Sequence, residues 1–106
     1  PNQAKKHESP RIRAKIETIR AHQIKRQGML NADLNAKNCE QLCGLETQEH
    51  VFLDQVLNQL KLSARAFHRL LKIARTIADL NARETVNQMD LKQALSYKQV
   101  LKSMTI

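Results

Sequence analysis

Three observations predict an all-α fold, a compact bundle of about five helices. The 106 residues include only two Gly, two Pro and three aromatic residues, Phe52, Phe67 and Tyr97, whereas strands favour aromatic and β-branched side chains. Apolar residues recur three and four positions apart in successive segments. Four of those segments open on residues suited to cap a helix. No strand signal, internal repeat or Gly-rich linker interrupts them.

Residues 1–8 have no apolar period and read as a flexible lead-in, leaving 9–106 as the helical domain. Ser9-Pro10 places a cap before a proline at the first helical position, where its missing N–H costs nothing. With Ile12, Ile16 and Ile19 on one stripe, a first helix is expected from Pro10 to Arg26, ending at Gln27-Gly28. After a connector, Leu34 and Cys39 bracket Asn35 at hydrophobic-staple spacing. A short second helix should therefore run from Ala36 to Cys43 and stop at Gly44.

A third helix, from about Gln48 to Leu60, carries Phe52, Val56 and Leu60 with Leu53 and Leu57 beside them. The fourth has the clearest start, because Ser63 can cap it while Leu62 and Phe67 take the staple positions. Phe67, Leu70, Leu71, Ala74, Ile77 and Ala78 form its apolar face, with Arg65, Arg69, Lys72 and Arg75 expected on the other side. A fifth helix begins at Asn87, with Asp90 as capping-box partner, Val86 and Leu91 as staple, and Leu91, Ala94 and Leu95 buried.

The net charge of +8 is unevenly spread: residues 1–26 hold eight Lys/Arg against two acids, and residues 27–60 hold one against five. The basic segment, with Lys5, Lys6, Arg11, Arg13, Lys15, Arg20, Lys25 and Arg26, is a candidate surface for DNA or a partner protein. A solvated basic face without a ligand is the plain alternative. No apolar run approaches a membrane span, and the N-terminus lacks a signal peptide's apolar stretch, so no membrane partner and a cytoplasmic location are expected.

Cys39 and Cys43, four apart on a helix, read as reduced core thiols. No metal site is expected, since neither a second Cys pair nor an HxxxH spacing completes a zinc set. His7, His22, His50 and His68 are scattered and read as surface or packing residues. Catalysis needs a constellation, and none is found: there is no GxxxxGK[ST] phosphate loop, magnesium-binding Asp-Glu strand end, GxSxG or HExxH. What remains is Arg65, in the first turn of a capped helix where an anion is welcome. Its planar, permanently charged fork suits phosphate oxygens, but the same residue could equally cover the helix end or pair with an acid.

The run LSARAFHRLLKIARTIADL from Leu62 to Leu80, DLKQALSYK from Asp90 to Lys98, and ESPRIRAKIETIRAHQIKRQGMLNADL from Glu8 to Leu34 together span nearly all of residues 8–98. In these segments the chain resembles the C-terminal domain of magnesium-chelatase-like AAA+ ATPases of the ComM competence-protein type. The resemblance implies an α-helical lid in which Arg65, the arginine of a Ser-x-Arg pattern, is the sensor-2 residue that reaches the γ-phosphate of ATP in its own or a neighbouring subunit. Arg69 and Arg75 match frequent family positions and receive no phosphate contact.

ATP and magnesium are then cofactors of the full-length protein, with none expected for this piece, which would not be an enzyme by itself. The implied partners are an upstream ATPase core carrying the phosphate loop, against which the first helix could pack, and the neighbouring subunits of a ring, taken as hexameric. DNA is the remodelled substrate that the resemblance suggests. A motor subunit for inserting magnesium into a porphyrin is the rival within the family, and a stand-alone basic DNA-binding module is the rival outside it. Two departures from the family pattern are His22 in the first helix and Asn81-Ala82-Arg83 in a turn that more often contains Gly.

Overall fold

In the computed structural model the described residues are 10–104, with side-chain surroundings described as far as Tyr97. The expected lead-in, residues 1–8, lies outside them. The chain divides into two units, Pro1–Leu30 and Asn31–Ile106. The first contains helix α1, Pro10–Gln27. Gly28 ends it at φ 79°, its N–H donating to the Ile24 carbonyl at 2.7 Å. Its isoleucine stripe is largely open to solvent, Ile12 being 53% and Ile16 41% exposed.

The second unit holds a 3-10 turn, Asn31–Asp33, followed by α2 (Ala36–Cys43), α3 (Thr47–Leu60), α4 (Ala64–Leu80) and α5 (Gln88–Met104). Among the described residues there is no strand. The expected all-α architecture is therefore the observed one. α4 is the central element, packing chiefly on α5 and α2, while α3 also meets α5.

Local caps set most helix boundaries. Asn35 accepts the Asn38 N–H at 2.8 Å through its side chain and so opens α2. Gly44 closes the same helix at φ 58°, a conformation that favours glycine. A Cβ at that position would stand 2.9 Å from Thr85 Cγ2, so the close approach of the 84–86 loop demands glycine there as well. Ser63 Oγ accepts the Ala66 N–H at 3.1 Å at the head of α4. Asn87 and Asp90 exchange two 2.9 Å bonds at the head of α5, each side chain accepting the other's backbone N–H.

α3 begins at Thr47, one residue earlier than expected, because Glu46 is the flanking residue and its N–H donates to the Glu49 side chain at 3.1 Å. All three staple pairs end in one apolar region: Leu34 with Cys39 and Val86 with Leu91 are core residues, and Leu62 and Phe67 are partly buried against that core. The remaining core is built by Cys43, Leu53, Leu70, Leu71, Ala74, Ala78 and Ala94. Both cysteines are free and buried, as expected.

One expectation is corrected. Arg75 does not line the solvent face with Arg65, Arg69 and Lys72; it is fully buried. At about 100° per residue, Arg69 and Lys72 fall close to the direction of Arg65, whereas Arg75 is turned by about 80° from it. The rotation carries its guanidinium to the Leu42 carbonyl at 2.6 Å, the Glu84 carbonyl at 2.8 Å, the Arg83 carbonyl at 2.8 Å and the Asp79 carboxylate at 3.0 Å. Asp79 in turn accepts from the Asn31 side-chain amide at 2.9 Å. A buried charge is tolerable when paired and hydrogen-bonded, and this one fastens α2, α4 and the 83–84 loop together.

Candidate functional site

The start of α4 is where sequence and structure put the most specific arginine. Ser63 is the N-cap, Ala64 and Arg65 are the first two helical residues, and the Ser63 hydroxyl is engaged by Ala66 N–H. Helix geometry leaves the amides of Ala64 and Arg65 without an intrahelical acceptor, and the peptide dipoles of a 17-residue helix add partial positive charge at the same end. The Arg65 side chain is exposed. An arginine there combines a mobile cationic fork with fixed backbone donors, a combination suited to a phosphate oxygen.

Arg69 follows one turn later and is also exposed, on the same side of α4. Lys72 continues the row but is half-buried, and its ammonium donates to the Ala32 carbonyl at 2.7 Å. The face thus runs from a free-standing arginine at the helix head to a lysine used to hold the 3-10 turn. Sequence periodicity found the first two residues and missed the tethered state of the third, because Ala32 is 40 positions away.

The basic residues of α1 divide between two directions. Arg11, Lys15, Lys25 and Arg26 share one side, while Arg13 and Arg20 project from the opposite one, by the same 100° rule. Arg11, Arg13, Lys15, Arg20 and Lys25 are exposed; Arg26 is half-buried and donates through Nε to Gln27 at 2.9 Å. Lys5 and Lys6 lie outside the described residues. α1 therefore presents positive charge on two opposite sides.

Among the described residues no group of three or more His, Cys, Asp and Glu could hold a metal ion. No helix there is long and apolar enough to cross a membrane. The cysteine pair offers no exposed nucleophile: both residues are fully buried, and the Cys43 thiol faces the Leu71 carbonyl at 3.9 Å. Hydrogen bonding with the Cys39 thiol, then burial, pushes Cys43 well above the ordinary cysteine range.

The sequence profile described as "Magnesium chelatase, subunit ChlI C-terminal" matches residues 6–98. Among curated proteins the chain is 42% identical over 94 residues to competence protein ComM of Haemophilus influenzae, covering 89% of this chain and 18% of that protein. It is 38% identical over 92 residues to the uncharacterized protein YifB of Escherichia coli K12, covering 87% of this chain and 18% of the relative. The YifB protein of Salmonella typhimurium is 33% identical over 97 residues, with 92% and 19% covered. The chain thus spans less than a fifth of the length of the relatives it matches.

Proposed function

The chain belongs to the family of magnesium-chelatase ChlI-type C-terminal domains, in its ComM and YifB branch, and from that premise we propose that it is the sensor-2 lid of a ring-forming AAA+ ATPase. The observation that carries the reading is Arg65, exposed in the first turn of a capped helix and with no side-chain hydrogen bond or ion pair to the described residues. When ATP is bound in the longer protein, its γ-phosphate supplies the negative charge and the scissile bond. Arg65 donates to that phosphate, stabilises charge as the phosphoryl group transfers, and moves with α4. The buried Arg75 network ties α4 to α2 and the 83–84 loop, so a displacement of α4 would be passed to them.

DNA is the proposed substrate, supported by the exposed cations of α1. Binding should be sequence-independent and fade steeply as salt rises, which a titration with unrelated duplexes checks. The ATPase reading is tested by removing residues 8–106 from the longer protein. Turnover of ATP should fall by at least about tenfold, the minimum expected when a phosphoryl-stabilising donor is lost. Unchanged turnover in the truncated protein would contradict the lid assignment.

A further inference from the structure

The α4–α5 packing leaves a groove of about 860 Å³ on the surface of the second unit. Its apolar lining includes Ile73, Ile77, Leu80 and Tyr97, and its cations are the exposed Arg69 and the half-buried Lys72, whose ammonium is held by the Ala32 carbonyl. Leu80 is 43% and Tyr97 54% exposed, so the apolar floor reaches solvent. No acidic residue is among the described residues that line it.

We infer that this groove docks an acidic amphipathic helix of a partner protein. Three features fix the chemistry. From Arg69 to Leu80 the wall extends eleven residues, about 16 Å at the α-helical rise, which matches three turns of a bound helix. An apolar floor takes residues at i, i+3, i+4 and i+7 of the incoming helix, the helix-in-groove mode. The cationic lining, chiefly the exposed Arg69, selects carboxylates on that helix's flank and disfavours a basic one. A nucleic acid would leave the aliphatic floor largely unused, since it needs stacking platforms and a cationic track. The inference is independent of any nucleotide role for Arg65.

The test is selection of a displayed library of random 16-residue peptides on the 106-residue chain, followed by fluorescence anisotropy of the enriched peptides. Enriched sequences should carry the i, i+3, i+4, i+7 apolar period and net negative charge. Leu80→Asp and Arg69→Glu, both at exposed positions and checked for unchanged thermal unfolding, should each weaken binding at least tenfold. Arg65→Ala should leave it unchanged. The proposal is overturned if nothing is enriched, if the enriched peptides lack that period or are basic, if Leu80→Asp binds them equally, or if single-stranded DNA displaces them. Self-association of the chain that Leu80→Asp abolishes would overturn it too, by making a second copy the occupant.

Discussion

Truncating Arg75 to alanine would leave the Leu42, Arg83 and Glu84 carbonyls and the Asp79 carboxylate facing a hole where a guanidinium had joined them. Removing one partner of a buried, hydrogen-bonded charge pair costs about 3–5 kcal/mol, a large share of a small domain's stability. Arg75→Ala should therefore unfold at a much lower denaturant concentration than the parent chain, and urea unfolding followed by circular dichroism checks it. A cost within about 0.5 kcal/mol, as for an ordinary surface site, would contradict the structural role.

Helix boundaries were the most legible feature of the sequence because their determinants are short-range. Asn35, Gly44, Ser63 and the Asn87–Asp90 pair each act over three residues or fewer, and each does in the structure what its chemistry suggests. Arg75 was illegible for the opposite reason: its partner Leu42 lies 33 residues away, and no local period reveals that an arginine has buried carbonyls to satisfy. The Glu46 start of α3 was missed because glutamate is a poor cap unless Glu49 reaches back to it. α1 shows the limit of periodicity, since its regular isoleucine stripe does not make Ile12 and Ile16 buried. The turn after α4 yields a prediction at this scale. Ala82 sits at φ 57°, a left-handed conformation that costs a side chain about 1–2 kcal/mol. Ala82→Gly should thus stabilise the domain by about 0.5–1 kcal/mol after glycine's extra unfolded-state entropy is counted. A lower melting temperature for this variant would show that the turn is not strained.

For the whole molecule, family membership and an exposed Arg65 at a capped helix head together make the case for a nucleotide-responsive lid. Arg65 was legible as a position, since a Ser-x-Arg run at a helix start announces both cap and cation, while its role toward a nucleotide belongs to the proposal. The most direct test is the rate of ATP turnover by the longer protein carrying Arg65→Ala, paired with thermal unfolding of the same substitution in the 106-residue chain. The chain should melt within about 0.5 kcal/mol of the parent, because an exposed first-turn side chain contributes little to folding. Turnover at saturating ATP should fall about tenfold to a thousandfold, the range for losing one donor to a developing phosphoryl charge. Normal turnover, or a destabilised chain, would mean that Arg65 is a structural cap and that the lid does not sense the phosphate through it.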